Sequence, residues 1–262
     1  MAYLRPRAVS VEFPIYRGSS RSLKKTMLAA STRGNLARDA SDRVMVRALS
    51  DITLDIEDGE RVGVVGANGA GKSTLLKMLA GIYEPVRGRL FSEGRVTALL
   101  DPSVGLDPNA TGRENILMRG MYLGIHPRQM RGYVDDIADF TEMALYLDMP
   151  VRSYSAGMMI RLAFAASTCI PTEILLMDEW LAAGDAHFLA KAHRRMAEYV
   201  SRSSILVLAS HSQPLLENWC RRGILLENGR ITAEGSIAEV AARYAARDAE
   251  APAVAKEATA AG

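Results

Sequence analysis

Cysteine is scarce in this chain, which has only Cys169 and Cys220 among its 262 residues. Both lie in apolar or helical-looking stretches, and neither belongs to a spacing typical of metal ligands. Secreted proteins stapled by disulfides use many more cysteines, so we expect two reduced thiols in a cytosolic protein.

Long hydrophobic runs are also missing. The longest ones, residues 174–177 and 205–209, have the length of core strands and fall far short of the ~20 residues that a membrane-spanning helix needs. The N-terminus lacks the apolar segment and the cleavage site of a secretory signal. We therefore expect a chain that does not cross a bilayer and works in the cytosol or on the cytosolic face of a membrane.

The chain as a whole lacks an excess of charge of either sign. Lys and Arg number 32 and Asp and Glu number 30, so the net charge of +2 gives no argument for nucleic acid as a partner. Hydrophobic residues make up 48% and charged residues 24%, which is typical of a folded globular protein. The length predicts one large domain or two small ones.

Residues 1–47 are an exception, because they hold ten basic and three acidic residues, a local charge of about +7. Residues 9–13 alternate as a strand would, whereas residues 23–30 place apolar side chains at roughly helical spacing among basic ones. Two interpretations remain open. The segment is either a solvated insertion loop or a short basic amphipathic helix that contacts anionic lipid headgroups or a membrane partner.

Strands alternate with helices from Ala48 onward, which predicts an α/β sheet covered by helices. The clearest strand candidates are residues 54–56, 61–65, 174–177, 204–209 and 222–226. Between residues 111 and 166 the apolar positions follow helical spacing, so this stretch is predicted to be a helical subdomain. Residues 245–262 are half alanine and are predicted to form a flexible tail.

The motif GANGAGKS at residues 66–73 fits the phosphate-binding P-loop pattern. It follows the apolar residues 62–65 and opens a helical segment at residues 74–80, as the mechanism requires. Its glycines let backbone N–H groups converge on phosphate oxygens, Lys72 supplies charge near the outer phosphates, and Ser73 supplies a hydroxyl for Mg²⁺. The predicted nucleotide-binding residues are Gly66, Ala67, Asn68, Gly69, Ala70, Gly71, Lys72, Ser73 and Thr74.

Two further strands end in polar residues, at the edge where open α/β sheets bind ligands. Asp178 and Glu179 follow residues 174–177, so Asp178 is predicted to hold the Mg²⁺ shell and Glu179 to orient or deprotonate the attacking water. His211 comes just after residues 205–209 and is a candidate partner for the γ-phosphate of ATP.

These motifs occur in an order that resembles the nucleotide-binding domain of an ATP-binding cassette (ABC) transporter, over roughly residues 48–243. The resemblance implies an α/β P-loop NTPase fold with an antiparallel β subdomain, a mostly parallel core sheet and a helical signature subdomain. Residues 1–47 would then join the β subdomain, residues 48–244 would form the ATPase domain with its helical part at about 111–166, and residues 245–262 would be the tail.

The segment YSAGM at residues 154–158 is similar to the signature of that family, with Ser155 and Gly157 matching and Ala156 replacing the commoner glycine. The resemblance implies that this segment of a second copy closes over the nucleotide, so that two copies enclose two ATP molecules head to tail. Asp185 matches a family segment that crosses this dimer interface.

Two departures from the family pattern concern single residues. The glutamine that usually follows the strand after the P-loop helix is missing, and Asp101 is the candidate that replaces it at the metal. The aromatic residue that usually stacks on adenine is also missing near residues 46–49, which leaves Tyr16 as the candidate.

Finer segments at residues 111–115, 148–151 and 178–188 resemble exporters of lipid-linked polysaccharide of the O-antigen, capsule or teichoic-acid type. The resemblance implies an ATPase with ATP and Mg²⁺ as cofactors, located peripherally on the cytoplasmic face of the inner (plasma) membrane. Its partners would be two copies of a polytopic permease, a second copy of itself and, through the permease, the polysaccharide. The alternatives are an exporter of a drug, lipid or peptide, or a soluble cassette ATPase that acts on ribosomes or DNA.

Overall fold

The computed structural model describes residues 1–14, 36–38, 44–101, 104–178 and 186–247. The chain divides into two compact units, one built from residues 1–94 and 205–262 and the other from residues 95–204. The basic segment predicted either as a loop or as a helix lies outside the described residues. The domain boundaries expected from the sequence stay a prediction.

The described strands and helices follow one another along the chain with short connections. The strands are β1 Tyr3–Pro14, β2 Leu36–Arg38, β3 Val44–Ile52, β4 Ile56–Glu57, β5 Arg61–Val65, β6 Arg87–Glu93, β7 Val96–Leu99, β8 Ile174–Met177, β9 Ile205–Ala209, β10 Arg222–Glu227 and β11 Arg230–Ser236. The helices are α1 Lys72–Leu79, α2 Gly112–Tyr122, α3 Pro127–Arg131, α4 Val134–Thr141, α5 Ala156–Thr168, α6 Ala186–Arg202 and α7 Gln213–Trp219. Short 3-10 turns occur at Ala144–Tyr146 and Val151–Ser153, and residues 237–247 are helical.

The first unit combines an antiparallel sheet with a largely parallel one. In the antiparallel sheet, β1 pairs with β3, β4 and β6, and β2 adds to β3. In the other sheet, β5 lies between β9 and β10 with all three parallel, and β11 returns antiparallel to β10. Every residue of β9 is buried, because a parallel strand of this kind is covered on both faces.

Four of the five strand predictions after Ala48 match an observed strand to within one residue at each end, namely β5, β8, β9 and β10. The prediction for residues 54–56 is wrong, because Leu54 and Asp55 lie outside a strand and β4 begins at Ile56. Leu54 is buried and donates one hydrogen bond to the carbonyl of Pro6 without joining a ladder. The N-terminal strand predicted at residues 9–13 is longer and runs over the whole of β1.

The second unit joins a parallel strand pair to a set of helices. β7 and β8 run in register from Val96 opposite Ile174 to Leu99 opposite Met177. Helices α2 to α5 occupy the stretch predicted to be helical. Phe164 of α5 stacks on Phe140 of α4 and meets the edge of Phe188 of α6, and these aromatic contacts form the core of the helical part. No helix in the described part of the chain is long and apolar enough to span a membrane.

Candidate functional site: a phosphate-binding loop and its surroundings

The P-loop connects the end of β5 to the start of α1 in the first unit. Gly66 has φ 158°, and a Cβ atom there would lie 2.3 Å from the carbonyl oxygen of Leu226. Gly71 has φ 108° and precedes α1 without any side-chain cap, so the first N–H groups of the helix remain for a ligand. The glycines are therefore required by the close approach of neighbouring backbone and by the turn into the helix.

A hairpin holds the P-loop from one side. The turn between β10 and β11 contains Asn228 and Gly229, both with positive φ, which is the pattern of a two-residue hairpin turn. The amide of Gly229 donates to the carbonyl of Ala70 over 2.9 Å, so the hairpin and the loop are tied together. A cavity of about 290 Å³ lies beside this contact, lined by Ala67, Asn68, Gly69, Ala70, Leu226, Glu227, Asn228 and Tyr244.

Lys72 is the buried charge of the loop, with 8% of its surface exposed. Its Nζ donates to the carbonyl oxygens of Gly66 over 2.6 Å and Ala67 over 3.1 Å. The same atom lies 3.3 Å from Nε2 of His211, which follows β9. The first unit thus brings together the predicted P-loop residues and the predicted histidine.

In the second unit, Asp101 and Asp178 follow neighbouring strands. The amide of Asp178 donates to the carbonyl of Leu99 over 3.2 Å, which extends the β7 and β8 pairing by one step. Asp101 comes two residues after Leu99. Both predicted metal residues therefore belong to the same carboxyl edge of this strand pair.

The predicted signature segment opens α5. Ser155 is the N-cap of the helix, and its Oγ accepts from the amide of Met158 over 3.2 Å. Tyr154 anchors the segment, because its hydroxyl donates to the carbonyl of Tyr146 over 2.6 Å, and burial raises the pKa of this phenol so that it stays protonated. Ser155 is exposed and Gly157 half-exposed, so both are open to a ligand or a second chain.

Three predicted site residues, Tyr16, Glu179 and Asp185, lie outside the described residues, and their roles stay predictions. Two residues without any predicted role stand out instead. Tyr244 lines the cavity beside the P-loop, and its place depends on the fold of residues 237–247. Arg119 is completely buried in α2, although its spacing in the sequence is that of an ordinary helix residue.

The residues around the P-loop fit a nucleoside triphosphate with a divalent cation. The uncapped start of α1 and the buried ammonium of Lys72 provide donors and positive charge for phosphate oxygens. Ser73, in the first turn of α1, and the carboxylates of Asp101 and Asp178 are oxygen donors of the kind that Mg²⁺ prefers.

Sequence comparisons identify relatives with named functions. Residues 49–182 match the sequence profile of the ABC transporter family. The chain is 40% identical over 228 residues to the O-antigen export system ATP-binding protein RfbB of Myxococcus xanthus, a match that covers 87% of this chain and 52% of that protein. It is 39% identical over 226 residues to RfbE of Yersinia enterocolitica, a protein of the same description, with 86% of this chain and 95% of that protein covered. The teichoic acids export ATP-binding protein TagH of Lactococcus lactis is 36% identical over 197 residues, which cover 75% of this chain and 42% of that protein.

The fold also matches solved structures. An ATP-binding subunit of an ABC transporter superposes with a TM-score of 0.65 at 20% identity, over 92% of this chain and 93% of that one. The likeness confirms the predicted fold class, an α/β ABC ATPase fold with an antiparallel β subdomain and helices. Because the family profile covers half of the chain and the Yersinia relative aligns over almost its whole length, the chain belongs to the ABC transporter family.

Proposed function

We propose that this chain is the ATP-hydrolysing, nucleotide-binding subunit of an ABC exporter that moves a polyprenyl-diphosphate-linked polysaccharide across the cytoplasmic membrane. The observation that carries the proposal is the identity of 39% to an O-antigen export ATP-binding protein over 95% of that protein's length. The P-loop geometry around Lys72 supports the ATPase part. O-antigen, capsule and teichoic-acid polymers are the cargo class.

ATP is the substrate that the first unit binds. The amides of residues 66–74 and the start of α1 hold the phosphates, and Lys72 exchanges its bonds to loop carbonyls for bonds to phosphate oxygens. Tyr16 remains the candidate for stacking on adenine.

Hydrolysis needs a metal ion, a base and a γ-phosphate contact. Ser73, Asp178 and Asp101 would hold Mg²⁺, which neutralises charge on the phosphate oxygens when bound. Glu179 orients the attacking water and accepts its proton, and His211 donates a hydrogen bond to the γ-phosphate. The distance of 3.3 Å between His211 and Lys72 supports a shared place at the phosphates.

A second copy of the chain completes each site. Ser155 and Gly157 at the start of α5 in one copy would contact the γ-phosphate held by the other copy, and Asp185 would cross the interface. The uncommitted first turn of α5 and the exposure of Ser155 support this role. Because the γ-phosphate joins both copies, ATP binding favours the closed dimer and hydrolysis favours its opening.

A polytopic permease is the second partner, and it would hold two copies of the chain on the cytoplasmic face of the membrane. The second unit exposes large apolar side chains that suit such a partner. Leu145 is 90% exposed, and the side chains of Met121, Tyr122, Tyr146 and Met149 are each more than 40% exposed.

Affinity purification of the Glu179→Gln variant from detergent-solubilised membranes with ATP tests the proposal, with Lys72→Ala as the control that cannot bind ATP. We expect mass spectrometry to find a polytopic membrane protein and sugar analysis to find a glycan on a polyprenyl lipid. A permease with a lipid that carries no glycan would favour a drug, lipid or peptide as cargo. Ribosomal proteins, or a dimer without any membrane partner, would contradict the exporter function.

A further inference from the structure

Arg119 of α2 has a fully buried side chain, with 0% of its surface exposed. Its Nε donates to Oγ of Ser167 in α5 over 2.9 Å. Its Nη1 donates to the carbonyl oxygen of Val104, and both Nη atoms lie 3.4 Å from the carbonyl oxygen of Asp101. Within the described part of the chain, the guanidinium thus bonds to two loop carbonyls and one hydroxyl.

Burial of this charge is costly unless the surroundings use it. Desolvation lowers the pKa of Arg119, and such side chains are almost never fully buried without partners. The ring of Tyr122, one turn further along α2, faces the guanidinium at 5.4 Å and adds a cation–π contact. An apolar side chain would fill the same space without the desolvation cost, so the value of the arginine lies in the groups that it joins.

The groups that Arg119 joins belong to two parts of the candidate site. Asp101 and Val104 lie in the loop after β7, and this loop starts at the carboxyl edge where Asp178 follows β8. Ser167 lies near the end of α5, the helix that Ser155 caps at its start. Ser167 is itself fixed, because its Oγ donates to the carbonyl of Ala163 over 2.6 Å.

We propose that Arg119 is a positioning residue that ties the loop carrying Asp101 to the signature helix α5, so that the two move as one body. The proposal rests on the proposed function for the role of Asp101 at Mg²⁺. A planar guanidinium can bridge carbonyls on one side and a hydroxyl on the other, which a lysine ammonium cannot do at the same distances. A helix of this length is stiff, so a shift of the loop reaches Ser155, about 18 Å along the axis from Ser167.

Hydrogen exchange measured by mass spectrometry tests the link without any need for turnover. Arg119→Lys keeps the charge but loses the fork, and Arg119→Met also loses the charge. Arg131→Met removes an exposed arginine from the same unit and is the matched control. We expect faster exchange in peptides that cover residues 104–110 and 160–168 for both Arg119 variants, and unchanged exchange at residues 66–80 and in the control. Wild-type exchange at residues 104–110 in Arg119→Lys would overturn the proposal, even if Arg119→Met fails to fold.

The Mg²⁺ dependence of ATP hydrolysis is the second readout. Loss of a group that orients a metal-binding loop raises the half-saturating Mg²⁺ concentration by about tenfold, whereas ATP affinity measured without Mg²⁺ stays at the wild-type value. Ser167→Ala cuts the same link at its other end, so Arg119→Lys combined with Ser167→Ala should add little to Arg119→Lys alone. An unchanged Mg²⁺ requirement would overturn the proposal. A wild-type chain without ATPase activity would instead contradict the proposed function, and the exchange data would then decide the role of Arg119.

Discussion

The Nζ atom of Lys72 lies 3.3 Å from Nε2 of His211, although the two residues are 139 positions apart. An ammonium group can only donate, so Nε2 accepts and the proton of the neutral ring lies on Nδ1. The P-loop and the end of β9 are therefore connected through one buried charge. Two predictions test the two ends of this contact.

Replacement of Lys72 by Ala removes the ammonium and leaves the loop backbone in place. We expect the affinity for ATP to fall at least about 100-fold, because a charged hydrogen bond to phosphate contributes roughly 1.5–3 kcal/mol per contact and Lys72 makes several. Titration with a fluorescent ATP analogue measures the loss. Lys77→Ala, on the same helix and outside the loop, is the control and should bind as the wild type does. Equal affinity in both variants would contradict the role of Lys72.

Replacement of His211 by Ala should act on turnover more than on binding. A lost donor at the developing charge typically lowers kcat by about 10²–10³, whereas the ground-state contact contributes less. Steady-state ATPase assays give kcat and KM separately. His193→Ala makes the same change at an exposed position of α6 and should leave both values unchanged. A fall in ATP affinity with kcat intact would show that His211 only supports the loop.

Phe164 fixes the signature helix through its contacts with Phe140 and Phe188. Truncation of this buried ring to Ala should lower the free energy of unfolding by about 3–5 kcal/mol, because a core cavity replaces the aromatic contacts. Urea unfolding followed by circular dichroism measures the change. Leu145→Ala, at a side chain that is 90% exposed, should change the free energy by less than about 0.5 kcal/mol. Similar losses in the two variants would contradict the packing described for α5.

Burial of the two thiols predicts a loss of stability at high pH. Desolvation raises the pKa of Cys169 and that of Cys220 from 9.0 to about 12. The folded state therefore keeps both protons while the unfolded state releases them above pH 9, so their contribution is complete below pH 9 and is lost between pH 9 and 12. The slope is about 1.4 kcal/mol per pH unit for each thiol. Urea unfolding at several pH values should give a flatter profile for Cys169→Ala with Cys220→Ala than for the wild type, and identical profiles would contradict the prediction.

Sequence patterns predict the elements whose residues are buried on both faces. The strand residues of β5, β8 and β9 are short apolar runs, which is how a covered parallel strand looks in a sequence. β6 shows the opposite case, because nearly all of its side chains are exposed and it exists through pairing with β1. No hydrophobic pattern marks such a strand. The hairpin beside the P-loop does carry a signal, the dipeptide Asn228-Gly229, which is typical of a two-residue turn.

The candidate site divides in the same way. The P-loop could be predicted because phosphate binding demands its spacing, and His211 because it follows a strand that ends beside the loop. Arg119 could not, because its partners at residues 101, 104 and 167 come together only through the fold. Burial of a charge leaves no pattern in a helix whose other residues are ordinary.

The Glu179→Gln variant tests the central claim most directly, because it keeps the shape of the side chain and removes the base. ATPase assays combined with light scattering of the purified protein measure turnover and mass in the same samples, with and without ATP. We expect ATP binding at the wild-type level, hydrolysis lowered by at least about 10², and a stable dimer that forms only with ATP. Turnover near the wild-type rate, or a variant that stays monomeric with saturating ATP, would contradict the account of an ATPase that works as an ATP-closed dimer.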